Sequence, residues 1–189
     1  MERLQKKSPY LTTNDLLELS GFAEVVQYSK GEIIIDYGRY CPYFFHVLNG
    51  VVRGSQYTAN VDEHNLFFIH DDQWFITPEK LLSKETKPSS HIFEAVSDVT
   101  LIKIDHEKLL KSATQNPHLF EFYHDAILVI MTSFLERIKL LTIENAEERY
   151  KNLVATRPLL FPHVQKKHLA QFLGITPNSF SRILKKLKE

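Results

Sequence analysis

The sequence predicts an α+β protein with an N-terminal double-stranded β-helix (jelly roll), a long helix and a small helical C-terminal domain. Three observations predict it. Short β-rich runs punctuated by glycine fill residues 25–104, an apolar stripe of helical period runs from Leu119 to Leu141, and two short amphipathic patterns occupy residues 168–187. The predicted domain limits are 1–116 for the roll, 117–144 for the long helix and 145–189 for the helical domain.

Seven runs rich in apolar and β-branched residues predict the strands of the roll. They are Val25 to Tyr28, Glu32 to Asp36, Tyr43 to Leu48, Val51 to Tyr57, Asn65 to His70, Ile92 to Val96 and Thr100 to Ile104. A short helix from Asp15 to Ser20 precedes them. Gly31, Gly38, Gly50 and Gly54 stand where turns or bulges are needed. This many short strands favours a barrel or jelly roll.

The stripe that begins after the roll predicts one helix of about 25 residues. Such a helix has more apolar surface than a small roll can cover, so we expect part of it to bury against a second copy of the chain. The alternative is a helix that packs entirely on its own domain. The residues expected at the dimer interface are Leu119, Tyr123, Ile127, Ile130, Phe134, Ile138 and Leu141.

After a further helix predicted in ENAEERYKNLVATRP, the stretch HLAQFLGITPNSFSRILKKL contains two helical patterns. Gly174 suits the end of the first helix, while Thr176 suits the N-cap and Pro177 the first residue of the second. Two short helices joined by a tight turn predict a helix-turn-helix, whose second helix enters the DNA major groove. The alternative is a helical hairpin with a solvated basic face.

Cations concentrate in this last segment, although the whole chain has a formal net charge of +0. From Arg157 onward there are seven Lys or Arg and one Glu. A basic surface suits phosphate contacts, so double-stranded DNA is the expected partner. Asn178 suits adenine and Arg182 suits guanine. The residues expected to contact DNA are Lys166, Lys167, Thr176, Asn178, Ser179, Arg182, Lys185 and Lys186.

Composition and the N-terminal stretch predict a cytoplasmic protein with no membrane contact. One cysteine cannot form an internal disulfide and cannot supply the thiolates of an iron–sulfur cluster. The N-terminal stretch lacks the continuous apolar core of a signal peptide. The longest aliphatic run, Ala126 to Met131, is far shorter than the ~20 residues of a membrane span.

The order of a β-roll, a long helix and a helix-turn-helix resembles the CRP/FNR family of bacterial transcription regulators over nearly the whole chain. Residues 168–187 are similar to the family pattern LAxxLGxSxxTxSRxLxxL, and YSKGEIIIDYGRYCPYFFHVLNGVVRG is similar to its roll signature. The resemblance implies a homodimeric DNA-binding regulator with a cyclic nucleotide-binding-like domain, which is not an enzyme. It also implies that segment 117–144 is a dimerisation helix and that the DNA site is palindromic.

The resemblance breaks at the phosphate cassette of the cyclic nucleotide-binding members. Those members carry a Gly-Glu pair and later an Arg-Ser/Thr pair, in which Glu accepts from the ribose and Arg neutralises the cyclic phosphate. In this chain Trp74-Phe75-Ile76 stands at the first place and Ser89-Ser90 at the second, so both the glycine and the arginine are missing.

A buried phosphate without its guanidinium is poorly paired, so we expect no cofactor, no binding of cyclic AMP, and at most an effector of unknown chemistry. A different loop path through Lys84, Lys87 or Glu79 is the alternative. The candidate pocket residues are Trp74, Phe75, Glu79, Ser89 and Ser90.

A second hypothesis is a jelly-roll small-molecule or metal-binding protein of cupin type, whose C-terminal helices only pack. The chain has nine histidines, and His46, His64, His70 and His91 can converge across strands. The cupin motif, however, needs His-x-His with a nearby Glu, and no His-x-His occurs. Neither a Gly-rich P-loop nor a Gly-x-Ser-x-Gly elbow occurs. We therefore expect neither a metal site nor catalysis.

Overall fold

A computed structural model of the chain describes residues 2–60, 62–82, 85–143 and 145–187. It confirms the predicted α+β class, with an antiparallel β-roll followed by a long helix. None of the helices in these ranges combines the length and the apolar composition that crossing a bilayer requires.

The roll consists of two four-stranded sheets, with strand orders β1-β8-β3-β6 and β2-β7-β4-β5. The strands are β1 (Ala23–Tyr28), β2 (Ile33–Ile35), β3 (Tyr43–Asn49), β4 (Val52–Tyr57), β5 (Glu63–Ile69), β6 (Trp74–Phe75), β7 (His91–Ala95) and β8 (Val99–Asp105). All seven predicted strands are present, with ends within two residues of the predicted ones. β6 was not predicted, because two residues are too few to show a period.

The helices before, within and directly after the roll are α1 (Glu2–Lys7), α2 (Thr13–Ser20), α3 (Pro78–Leu82) and α4 (His106–Ala113). The helices that follow are α5 (Pro117–Ile143), α6 (Ala146–Thr156), α7 (Lys166–Phe172) and α8 (Pro177–Lys186), with a 3-10 turn at Pro158–Leu160. The long helix, the one after it and the last pair match the prediction, whereas α1, α3 and α4 were not predicted.

Strand β3 shows how the roll and the helices share one sheet. Successive side chains of a strand point to opposite faces. Phe45 and Val47 therefore pack inside the roll, while Phe44 on the other face packs in the cluster that contains the α5 residues Leu119 and Phe122. Both faces of β3 are buried, which explains its nearly unbroken apolar sequence.

Two glycines turn the chain with positive φ angles. Gly50, between β3 and β4, has a φ of 96°, and a Cβ there would lie 2.7 Å from the Val99 side chain and collide with the Asp98 carbonyl oxygen. Gly174, between α7 and α8, has a φ of 66°. The predicted turning role of Gly174 is confirmed, since L-residues rarely adopt this conformation.

Asp15 fastens the N-terminal helix α2 to the start of α5. Its carboxylate accepts from Asn116 Nδ2 at 2.7 Å and contacts His118 Nδ1 at 2.9 Å, and it completes a capping box with Thr12. Burial raises the pKa of this carboxyl, but the hydrogen bonds from Asn116 and Thr12 outweigh burial, so the net shift is downward. Asp15 therefore stays ionised and helps fix the position at which α5 begins.

Two residues predicted at the dimer interface lie on the face of α5 that covers the roll, and for these two the prediction is wrong. Leu119 is 0% exposed and Ile130 is 7% exposed, and both pack in the chain's own core. Tyr123 and Ile127 are half-buried against the same cluster, and Phe134 is exposed although it contacts Phe67 edge-on at 5.2 Å, so for these three the interface role stays a prediction. A helical period reveals an apolar face but not the surface that covers it, and here the roll covers it.

The C-terminal helices share a core with the roll. Val51, Phe68 and Val96 of the roll form one buried cluster with helical residues that include Leu169 and Phe180. Segment 145–187 therefore does not bury its apolar residues within itself alone, and the domain limits proposed from the sequence remain a prediction.

We expect acid to destabilise the fold through its buried histidines. Burial lowers the pKa of His46 and of His106 to about 4, below the unfolded value of about 6.5. The pKa values of His70, His91 and His168 are lowered too. Between the folded and unfolded pKa values the unfolded state binds more protons, so stability falls as pH drops through this window.

Urea unfolding at about pH 7, 6 and 5 measures this effect. Each of His46 and His106 contributes up to about 1.4 kcal/mol per pH unit. His46→Gln removes one titrating group and should make the decline shallower, whereas exposed His124→Gln should leave the slope unchanged. A free energy of unfolding that stays level or rises towards pH 5 would contradict the assignment.

Candidate functional site

The segment predicted as a phosphate cassette forms α3 and the start of β7, and its polar groups bind one another. Glu79 Oε1 accepts from the Ser90 backbone N–H at 3.2 Å and from the Ser90 hydroxyl at 2.5 Å. His91 Nδ1 lies 3.7 Å from the same oxygen. The Ser89 hydroxyl donates to the His91 carbonyl at 2.8 Å. The structure therefore brings Glu79 and Ser90 together, as the predicted pocket requires. The group that Ser90 binds, however, is the chain's own Glu79 carboxylate.

The charge at this place is unfavourable for a phosphate. Burial raises the pKa of Glu79, but the Ser90 hydrogen bonds outweigh it and the net shift is downward, so the carboxyl is ionised at neutral pH. Its second oxygen is buried and has no hydrogen-bond partner within the described part of the chain. Lys87 pairs at 3.4 Å with exposed Glu85, and Lys84 lies outside the described residues. An anion bound here would meet a like charge.

Trp74 and Phe75 stand at the first place of the predicted cassette, where the family has its Gly-Glu pair. The Phe75 ring stacks between those of Phe45 and Phe93 inside the roll, with centroid distances of 4.8 and 5.1 Å. Trp74 stacks on Phe44 at 4.8 Å on the other side of the sheet, which faces α5. An aromatic ring therefore fills the roll interior at Phe75, while Trp74 packs outside it.

Two adjoining cavities lie between the roll, α5 and the C-terminal helices. The first, about 70 Å³, has a mainly aromatic lining that includes Trp74, Phe75 and Phe134. The second, about 380 Å³, is the polar cavity, because most of the residues that line it are polar, and they include the carboxylate of Glu136 as well as Gln73 and Lys139. Both are also lined by Arg137, Arg157 and Phe172.

Sequence reasoning missed Arg137 and Arg157. Arg137 follows Ile130 by seven residues and thus occupies a core-facing position of α5, so a cation within an apolar stripe was the available signal. Arg157 was counted only as part of the basic end of the chain, and only tertiary packing brings it beside α5.

The histidines do not assemble into a metal site. Within the described ranges, no three His, Cys, Asp or Glu side chains gather closely enough to bind a metal ion. His46 lies on β3 and stacks on Trp74 at 4.4 Å, whereas His64 and His91 lie on strands of the other sheet. The convergence of four histidines considered above is therefore wrong.

Helix α8 begins as the sequence predicts and presents one polar face. Thr176 caps it, accepting from the Ser179 backbone N–H at 3.2 Å. Phe180 is buried and packs edge-on against Tyr150 at 5.7 Å. Asn178, Arg182 and Lys185, at spacings of four and three, are exposed on one face, and Pro177, Ser181 and Lys186 are exposed beside them.

The other predicted DNA-contacting lysines differ in their surroundings. Lys166 and Lys167 are exposed in the first turn of α7. Lys186 Nζ lies 2.5 Å from Glu147 Oε2 on α6. Hydrogen bonds from Lys151 and Lys186 lower the pKa of Glu147 to about 2. Lys186 is therefore paired with a carboxylate of α6, although its side chain is 70% exposed, and Lys185 is exposed as well.

Helix α7 is fastened to the edge of the roll by one side chain. Gln171 Nε2 donates to the Glu63 carbonyl at 3.2 Å, and Gln171 Oε1 accepts from the Asn65 backbone N–H at 3.3 Å. Both backbone groups belong to β5, an edge strand of its sheet. The contact places α8, which follows α7, at a defined position relative to the roll.

Comparison with known proteins gives one family match by sequence. Residues 25–116 match the family model of the cyclic nucleotide-binding domain. No curated protein matches the chain in sequence.

Solved structures resemble most of the chain, from the roll into the C-terminal helices. FixK2 from Bradyrhizobium japonicum has a TM-score of 0.68 at 20% identity, covering 88% of this chain and 84% of its own. The c-di-GMP responsive global regulator CLP of Xanthomonas campestris has a TM-score of 0.70 at 16% identity, covering 94% and 92%. A putative transcriptional regulator of the crp/fnr family from Eubacterium rectale has a TM-score of 0.72 at 15% identity, covering 94% and 84%. At these identities the likeness establishes the fold.

We expect cyclic AMP at about 1 mM to leave the melting temperature unchanged, because the cassette presents Glu79 in place of a guanidinium. A ligand at 100 times its dissociation constant would add about 2.7 kcal/mol, which a thermal melt detects readily. Glu79→Gln removes the charge without supplying a guanidinium and should be equally unresponsive. A clear upward shift in the wild type that Ser90→Ala abolishes would refute this reading of the cassette.

Proposed function

We propose that this chain is a homodimeric DNA-binding transcription regulator and not an enzyme. The chain has the fold of CRP/FNR regulators, and residues 25–116 match the cyclic nucleotide-binding domain family, which supports the proposal. The observation that carries the proposal is the exposed face of α8, where Asn178, Arg182 and Lys185 lie on a helix anchored by buried Phe180. In this proposal residues 1–116 form the sensor, 117–144 the dimerisation helix and 145–189 the DNA-binding domain.

The face of α8 suits the major groove. Recognition helices of helix-turn-helix proteins place their N-terminal residues at base edges. Asn178 is close to that end and pairs well with adenine, and Arg182, one turn later, pairs with guanine O6 and N7. Lys185 and the two lysines that open α7 supply phosphate contacts. Lys186 contributes only after it leaves Glu147.

A second copy of the chain is the occupant we assign to the outward face of α5. Leu128, Met131, Leu135 and Ile138 are exposed and follow one another at spacings of three, four and three, the a/d pattern of a coiled coil. The stripe lies opposite the face that covers the roll. At 27 residues, α5 is about 40 Å long, so two copies can pair along several turns.

A two-fold dimer accounts for a palindromic DNA site. Two symmetry-related α8 helices would read half-sites about 34–36 Å apart, one turn of the duplex. Of the interface residues predicted from the sequence, Ile138 lies in this outward stripe, whereas Phe134 and Leu141 are exposed but lie nearer the face that covers the roll. Selection of bound duplexes from a random pool tests the proposal, since enrichment of an inverted repeat would support both DNA reading and symmetry.

Arg182→Ala is expected to weaken binding to the selected site by about 1–3 kcal/mol and to relax preference at one base pair per half-site. Lys185→Ala should instead weaken all duplexes alike and reduce the salt slope by about one unit, because it removes a phosphate contact. Titration of each variant on selected and scrambled duplexes at several salt concentrations separates the two roles. Equal losses on both duplexes for Arg182→Ala would make Arg182 a phosphate contact.

Leu135→Glu is expected to convert the dimer into a folded monomer with little affinity for the site, because it places like charges in an apolar seam. Leu135 is 63% exposed in the single chain, so the change should spare the monomer's core. Light scattering gives the mass, and a thermal melt checks folding. Leu17→Glu, at an exposed apolar residue of α2, is the matched control and should remain dimeric. An unchanged mass for Leu135→Glu would refute the seam.

A further inference from the structure

Two guanidinium groups converge between the roll and the C-terminal helices. The Arg137 Cζ atom lies 4.0 Å from the centroid of the Phe172 ring, and the Arg157 Cζ atom lies 5.7 Å from the same centroid. Arg137 projects from α5 and Arg157 follows the end of α6, while Phe172 belongs to α7. Three helical segments thus meet at this pair of cations.

Among the described residues neither guanidinium forms a direct ion pair, although the Glu136 carboxylate, which lines the larger cavity, raises the pKa of Arg157 electrostatically. Arg137 Nη1 is buried and has no hydrogen-bond partner among residues 2–60, 62–82, 85–143 and 145–187. Arg157 Nη1 donates only a long bond, 3.4 Å, to the Phe68 carbonyl. Buried Arg53, by contrast, is paired with Glu63 at 2.7 Å and Glu94 at 2.5 Å.

The pKa values of both arginines also show that their surroundings disfavour positive charge. Burial, with the neighbouring cations Arg157 and Arg149, lowers the pKa of Arg137 to about 10, and burial also lowers the pKa of Arg157. Both side chains are nevertheless cationic at neutral pH. Two like charges held in a partly desolvated place are costly until an anion joins them.

The cavities around the pair give the shape of such an anion. The aromatic cavity and the polar cavity share Arg137, Arg157 and Phe172, so a molecule in the larger polar cavity can place a charged group at the arginines and turn an apolar edge towards the rings of Phe75 and Phe134. The planar guanidinium fork matches a carboxylate or phosphate with two parallel hydrogen bonds.

We propose that Arg137 and Arg157 bind the carboxylate or phosphate of a small organic anion that lies in the larger cavity with its apolar edge against the adjoining aromatic cavity. This site is separate from the Glu79–Ser90 cassette, where the charge is negative. Because Phe172 lies on α7, an anion that draws the guanidiniums off its ring alters a contact of the segment that leads to α8. This last step rests on the proposed DNA-binding function, whereas anion binding does not.

The only tryptophan of the chain, Trp74, lines the aromatic cavity, so its fluorescence reports occupancy directly. The full-length protein is titrated, without DNA, with benzoate, phenyl phosphate, inorganic phosphate and neutral benzyl alcohol. We expect saturable changes with benzoate or phenyl phosphate and binding at least about tenfold weaker for benzyl alcohol and for inorganic phosphate, since each lacks one half of the recognised chemistry. The benzoate and phenyl phosphate arms distinguish a carboxylate from a phosphate ligand.

Variants test whether the two arginines bind the anion that changes the fluorescence. Arg137→Met and Arg157→Gln should each weaken binding of the better anion at least about tenfold, whereas Arg39→Gln, which removes an exposed cation on the roll, should leave it unchanged. Equal responses to benzoate and benzyl alcohol, or an anion response that survives in both arginine variants, would overturn the proposal. A response lost equally in Arg39→Gln would overturn it as well. The wild-type ligand series remains decisive if either arginine variant fails to fold. Because no DNA is present, these outcomes are independent of whether the protein binds DNA.

Discussion

The burial of one face of α5 against the outer side of the β3–β8 sheet is the constraint on which the other features depend. This contact buries Phe44 of β3 together with four residues of α5, which are Leu119, Phe122, Ala126 and Ile130. The contact decides which apolar residues of α5 remain exposed. It also positions Arg137, further along the same face, against Phe172 of α7.

The strands and the main helices follow from local patterns, since the two-residue and 3.6-residue periods are visible without knowledge of packing partners. Thr176, Pro177 and Gly174 mark the turn between α7 and α8 because capping and positive φ are local requirements. The roles of the two faces of α5 could not be predicted in this way. Both faces are apolar, and only the tertiary structure shows which one the roll covers.

The site shows the same division between local and tertiary information. The absence of a cassette arginine is visible in the sequence, but the position of the Glu79 carboxylate against Ser90 depends on how α3 folds back on Ser90. Likewise, only the tertiary structure shows that Lys186, and not its neighbour Lys185, pairs with Glu147 of α6. The positive charges of Arg137 and Arg157 lie between the roll and the helical segment, and their position also depends on tertiary packing.

The two hydrogen bonds between Gln171 and β5 cover part of a sheet edge, which matters for solubility as well as for geometry. β5 is the edge of its sheet, and the free backbone groups of an edge strand can template pairing with a strand from another molecule. Gln171 occupies the Glu63 carbonyl and the Asn65 N–H with a side chain that cannot extend the sheet. A large outward swing of α7 would uncover this edge and allow it to pair with another molecule. Avoiding such aggregation limits how far the helical segment can move from the roll.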